Sequence, residues 1–307
     1  MINEKYKDRL FRKIFGYEKY KGNLLSLYNA LNGTKYTNPD DLEITTIDEA
    51  IWMGMKNDVS CIINCNMALY EHQSSYSPNM PLRGLMYFGK LYNKYVKVNK
   101  QNIYGSKLVK IPTPQYYVFY NGERDYPDRI ELKLSDAFQK EGKEGDFQWT
   151  AIMLNINFGK NKKLMNSCQI LREYAILIDT IRRYKKTCET LEEAVNRSVN
   201  ECIENNVLAE FLLEHKSEVI DMLLTEYNEE ETMEMFKAEG REEGREEGEI
   251  YILIKLVCKK IKKGKSLKEI SDELEEKQEY IQPIYEAANK CAPEYDYDRI
   301  YNMLNKA

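Results

Sequence analysis

The chain has 307 residues, 43% of them hydrophobic and 31% charged, with a formal net charge of −5. That gives room for one large domain or two ordinary ones, with enough apolar content for a real core. The acidic balance excludes a globally basic, histone-like binder but leaves room for a local basic surface.

Seven cysteines include no CxxC pair and leave an odd one, which reads as reduced thiols of a cytoplasmic protein. The N-terminus is charged from its first residues and lacks the apolar run of a signal peptide. The longest apolar run, Ile250 to Val257, contains Lys255 and is too short to cross a bilayer, so no membrane partner is expected. The 24 tyrosines against 9 phenylalanines point to cores with wet edges and polar clefts.

Leu10, Phe11, Ile14 and Phe15 recur at helical spacing and predict a helix over 4–15. Asp8 sits off that stripe, four residues before Arg12, where an i,i+4 ion pair is as good a reading as a role in chemistry. A second helix over 22–31 stops at Asn32-Gly33. The alternation from Leu42 to Ile47 predicts a strand. Asn57 to Gln73 reads as a hairpin turning at Asn64-Cys65-Asn66, which sets Asp58 across from Glu71. Glu71 and Gln73 then share one face and His72 takes the other. Glu71 continues an apolar row, Met67 and Leu69, and a carboxylate there is costly unless a cation or a donor satisfies it.

Pro78 to Lys110 contains no acidic residue and seven basic ones: Arg83, Lys90, Lys94, Lys97, Lys100, Lys107 and Lys110. On a helix over 80–98, Arg83, Lys90, Lys94 and Lys97 fall on one face. Leu82, Leu85, Met86, Gly89, Tyr92 and Val96 form the face expected to pack on the sheet. A single-sign face in an acidic protein suggests a surface that meets phosphates, against the plainer reading of a lysine-rich soluble face.

Strands are expected over 115–120, near 130–134 and over 149–158. After Lys163 the pattern is helical. Glu226 to Glu249 holds eleven acidic and three basic residues and reads as a solvated helix with Glu–Arg pairs, or a linker. In the last forty residues, Ser271, Glu275 and Ile281 stand at helix-turn-helix offsets. Two of the three identities are wrong for that motif and Pro283 falls inside the second helix, so a packed helical tail is the expectation.

Phosphodiester hydrolysis needs an activated water and a stabilised phosphate. A magnesium ion serves both and binds through one or two carboxylates plus water and phosphate. Asp58 and Glu71 supply such a pair. Gln73 stands where a lysine would orient the water; an amide can donate and accept there but adds no charge. Of the two histidines, His72 points away from the Glu71 face and His215 ends a helix in the C-terminal half, and no Cys/His cluster occurs, which speaks against a serine or cysteine hydrolase and against a structural zinc site.

The runs KDRLFRKIF, NDVSCIINCNMALYEHQ and PLRGLMYFGKLYNKY together resemble the Rpn family of recombination-promoting nucleases and putative transposases (YhgA-like), a branch of the PD-(D/E)XK nuclease superfamily. The matching positions are Asp8 and Phe11 with Arg12 in place of lysine, Asp58, Glu71 with Gln73, and Arg83 with Tyr87. Residues 5 to 250 carry the likeness. PTPQYYVFYNG and the acidic glycine run near 240 also look like that family. Asn57 replaces the proline of the superfamily motif, and Gln73 its lysine.

The resemblance implies an α/β (α+β) fold built on a restriction-endonuclease-like core of helix, three-strand meander, helix and strand, followed by an all-helical region. It implies Mg2+ (or Mn2+) held by Asp58 and Glu71, catalysis by these with Gln73 and Asp8, and DNA as partner along Arg83, Lys90, Lys94 and Lys97. A homodimer follows by analogy, since cutting both strands often takes two copies. Expected segments are a core over 1–160, a helical extension over 161–249 and a small helical tail over 250–307. The alternative is a DNA-binding or accessory protein that keeps the fold without turnover. A third reading makes the helical C-terminal half an interaction or oligomerisation module.

Overall fold

A computed structural model describes residues 9–46, 58–143 and 145–304. They form two compact units, residues 1–229 and 230–307. The first is a mixed α+β unit around a six-stranded sheet in the order β1-β2-β3-β4-β6-β5.

The strands are β1 Leu42–Ile44, β2 Val59–Ile63, β3 Asn66–Gln73, β4 Thr113–Tyr120, β5 Arg129–Lys133 and β6 Thr150–Asn155. β1, β2 and β3 run antiparallel as a meander; β3, β4 and β6 are parallel; β5 closes the edge antiparallel to β6. β1 is shorter than the alternation suggests, and residue 47 lies outside the described residues.

The hairpin turns on two residues, Asn64 and Cys65, both with positive φ (43° and 63°), the backbone sense of a type I′ turn. Its register, Ile63 against Asn66 and Val59 against Tyr70, carries on to place Asp58 opposite Glu71.

Strand alternation sends side chains to two faces, and each face has its own core. One face packs on helices α1 Arg9–Phe15, α2 Lys21–Asn32, α5 Gln169–Lys185 and α6 Leu191–Glu204. Val59, Cys61, Tyr70 and Phe119 meet Phe11, Leu24, Tyr174 and Val199 there. The helices after residue 161 therefore share a core with the sheet, up to Leu223 near the start of α7 Ala209–Ile261. The short α4, Lys162–Ser167, joins this layer, and Gly33 ends α2 in the left-handed conformation that the Asn-Gly stop signals.

The other face packs on α3, Met80–Val98, which links β3 to β4. The bounds match the sequence expectation, but the buried face does not. Met80, Pro81, Gly84, Tyr87, Phe88 and Leu91 face the sheet, while Leu82, Leu85 and Met86 are exposed. The rotation follows from shape. A Cβ on Gly84 would lie 2.3 Å from Cε1 of Tyr116, so the helix comes closest to β4 where it has no side chain. That approach seats the larger Tyr87 and Phe88 rings inside, which bury more area than the leucines would.

The second unit contains the end of α7 with α8 Leu267–Leu274, α9 Gln278–Lys290 and α10 Tyr297–Leu304. Its core is Ile254, Val257, Ile270, Ile281, Ile284 and Ile300 with small residues between. A capping box of Ser266 and Glu269 starts α8, and Glu275 ends it at φ 56°. Ser271 and Ile281 are buried at the α8–α9 corner, and Pro283 lies within α9. The acidic run from Glu226 lies in α7, where Arg245 pairs with Glu242 and Glu249. Among the described residues no helix is long and apolar enough to cross a membrane. All seven cysteines are free thiols.

Candidate carboxylate site

The open end of the β2–β3 hairpin places two acids side by side. The Asp58 amide donates to Oε1 of Glu71 at 3.2 Å, and Oδ2 of Asp58 accepts the His72 amide at 2.8 Å. Each carboxylate therefore ties down a backbone N–H at the end of the ladder, where strands otherwise fray. Glu71 is 1% exposed and stands in the row of Met67 and Leu69, under α3.

A buried carboxylate needs a partner. Beside the Asp58 amide, Glu71 meets Arg83, whose Nη2 lies 3.1 Å from its Oε2. The same guanidinium donates to the Tyr87 hydroxyl at 3.2 Å and reaches the Met80 sulfur at 3.4 Å. Thus Arg83, assigned by the sequence to the phosphate-facing row, meets the cost that suggested a metal beside Glu71. Arg83 heads that row: Lys90, Lys94 and Lys97 follow on the same face of α3 at i+7, i+11 and i+14.

The electrostatics follow the geometry. Burial works most strongly against the charged guanidinium of Arg83, but Glu71, Tyr87 and Tyr116 together outweigh it and hold the pKa above its usual value. Burial, then the Glu71 charge, pushes the Tyr87 phenol up to about 12, with Arg83 pulling the other way. Tyr116 is held well above its ordinary value, first by burial and then by Glu71. Its hydroxyl is buried and has no hydrogen-bond partner among the described residues.

Tyr116 is the residue that the sequence did not single out. It pairs with Leu69 in the β3–β4 register, so it shares the Glu71 face one strand over. The signal was the face parity of β4 relative to β3, which cannot be read before the parallel pairing is known. Tyr87 was visible in the sequence only through the family likeness, although its i+4 spacing from Arg83 brings them together.

Gln73 ends β3 on the Glu71 side of the alternation and is partly exposed; its backbone carbonyl accepts from the Asn121 amide at 3.1 Å. His72 goes to the opposite face as expected. It stacks on Phe11 at 5.3 Å, and its Nε2 lies 2.9 Å from the Tyr174 hydroxyl. His215 lies at a break in α7 and contacts Tyr20, so the two histidines serve different places in the first core. Asp8 lies outside the described residues.

Two opposed carboxylates are the hard oxygen donors that a magnesium or manganese ion takes, with water and phosphate completing the shell. Among the described residues, no group of three or more His, Cys, Asp or Glu is arranged to hold an ion. No protein-family model, curated protein or solved structure matches this chain.

Proposed function

We propose that the chain is a Mg2+- or Mn2+-dependent DNA endonuclease that hydrolyses phosphodiester bonds. The observation that carries the reading is the Asp58–Glu71 pair at the end of the hairpin, covered by Arg83 at the head of a cationic helix face. The sequence likeness to recombination-promoting nucleases supports the same reading and supplies its link to recombination or transposition.

Asp58 and Glu71 would hold the ion, which supplies Lewis acidity and a lowered pKa for its bound water. Gln73 can orient the attacking water by donating and accepting, but it takes no proton. Arg83, paired with Glu71, suits a non-bridging phosphate oxygen by its forked geometry. Lys90, Lys94 and Lys97 neutralise phosphates further along the duplex. The test is cleavage of supercoiled plasmid with and without Mg2+, wild type against Asp58→Ala. Cutting that survives the substitution removes the reading.

A second reading is a DNA-binding protein of the same fold without turnover. It is favoured by the engagement of Glu71 with Arg83 and the Asp58 amide, and by an amide at position 73. It predicts salt-sensitive DNA binding with no cleavage at any metal concentration.

A further inference from the structure

The segment joining α3 to β4, residues 99–112, displays apolar side chains to solvent. Tyr104 is 93% exposed and Leu108 80%, and Ile103 is exposed beside them. Scattered exposed apolar residues are ordinary; a cluster of them calls for an occupant. The base of the loop is fastened. Gln101 donates its amide to Val96 O at 2.9 Å and its side chain to Lys110 O at 3.4 Å, and the Tyr92 hydroxyl donates to Pro112 O at 2.8 Å. At the tip, the Asn102 side chain accepts the Tyr104 amide at 3.0 Å, fixing a turn that presents the Tyr104 ring.

Charge points to an anionic occupant. Lys100, Lys107 and Lys110 lie in the same loop, no acid occurs from Pro78 to Lys110, and the chain as a whole is acidic. The loop also continues the α3 row. From Arg83 to Lys97 the helix rises about 20 Å, at 1.5 Å per residue, which spans about six steps of a duplex.

We propose that the α3–β4 loop is a wedge for DNA: Lys100, Lys107 and Lys110 grip phosphates while Ile103, Tyr104 and Leu108 enter the stack of bases. The wedge acts about six base pairs or more from the carboxylate pair, and its preferred substrates are duplexes that unstack cheaply: mismatched, bulged or kinked. An aromatic tip suits bases because every base has a face to stack on, and a polar-rimmed apolar tip replaces the base–base contacts it interrupts. An anionic membrane is the other surface that basic, apolar loops meet, but membrane-bound segments bury a longer apolar face than this tip has. The proposal borrows DNA as the polymer from the reading above and is independent of turnover.

The experiment uses the full chain in EDTA with duplexes carrying a 2-aminopurine at successive positions. Wild type is expected to raise the fluorescence at one or two positions and to bind a bulged duplex more tightly than a perfect one. Ile103→Ser with Tyr104→Ser and Leu108→Ser is expected to abolish that rise and weaken binding about ten-fold or more. Tyr104→Phe should keep both. Lys100→Ala with Lys107→Ala and Lys110→Ala should reduce the slope of log affinity against log salt by about 2 to 3. Unchanged melting temperatures show that these exposed changes leave the fold intact.

Absence of DNA binding by the wild type, or a triple serine variant with unchanged affinity and fluorescence, overturns the proposal. So does loop-dependent binding to phosphatidylserine vesicles in place of DNA. Added Mg2+ separates the two ideas. Unstacking without cutting removes the nuclease reading alone; cutting and binding indifferent to the loop variants remove the wedge alone.

Discussion

Asp58 and Glu71 face each other across β2 and β3, the amide of the first donating to the carboxylate of the second at 3.2 Å. Asp58 in turn accepts the amide next along from Glu71, that of His72. Asp58 stands one residue before β2 and Glu71 lies in β3, so backbone hydrogen bonds at the end of the ladder hold the two carboxylates together.

Asp58→Asn separates charge from architecture. The amide oxygen still accepts from His72, so the fold should hold with a change under about 1 kcal/mol. Metal-dependent cleavage should fall by about 10³-fold or more, because a ligand charge is lost where it matters in the transition state. DNA affinity in EDTA should be unchanged. A plasmid assay, a melting curve and a binding isotherm check the three statements.

Arg83 and Glu71 should be strongly coupled in stability. Arg83→Met removes a guanidinium from a carboxylate that is 1% exposed. A fully buried pair broken in this way costs about 3–5 kcal/mol; Arg83 is 38% exposed, which lowers the expected cost to about 2–3 kcal/mol. Adding Glu71→Gln should recover at least half of that, since the buried negative charge that Arg83 met is gone. Urea unfolding of the two single variants and the double closes the cycle. A cost of Arg83→Met below about 0.5 kcal/mol would show that solvent, not Arg83, satisfies Glu71.

The hairpin was the most legible part of the sequence because its information is local. Period-two alternation, a turn read at Asn64-Cys65-Asn66 and the thirteen-residue spacing set Asp58 against Glu71, and the register agrees, with the turn tightened to Asn64-Cys65 and Asn66 already in β3. The ends of α3 were equally legible from Asn79-Met80-Pro81 and the loss of periodicity after Val98. Its buried face was not. Leu82, Leu85 and Met86 look like the packing stripe, yet Tyr87 and Phe88 win because Gly84 fits over the Tyr116 ring. That contact joins residues 32 apart through a parallel pairing that no local pattern announces. For the same reason the partner of Glu71 was read as a metal before Arg83 could be seen to reach it.

The Gly84 contact gives a paired prediction on one helix. Gly84→Ala adds a methyl 2.3 Å from the Tyr116 ring and should cost about 1–3 kcal/mol, with α3 shifting off β4. Gly89→Ala adds a methyl to open space in the same helix and should stabilise by about 0.5–1 kcal/mol. Opposite shifts in denaturation midpoint are the expected result. A Gly84→Ala variant as stable as the wild type would mean that the α3–β4 packing is looser than the contact implies.

Alkaline pH should test the environment of Tyr87. Burial and the Glu71 charge push its phenol up to about 12, against 10 for a free tyrosine. Between pH 10 and 12 the unfolded chain has lost that proton while the folded chain keeps it. The unfolded state then binds fewer protons, so stability falls as pH rises; the contribution is complete below pH 10 and gone above about 12. The loss assignable to Tyr87 is on the order of 3 kcal/mol. Tyr87→Phe removes the titration together with the Arg83 hydrogen bond, which lowers stability at neutral pH by about 1 kcal/mol. Wild type and variant should therefore converge, then cross, as pH is raised from 9 toward 12 in urea unfolding. Parallel curves would place the Tyr87 hydroxyl in ordinary contact with solvent and loosen the packing inferred around Arg83 and Glu71.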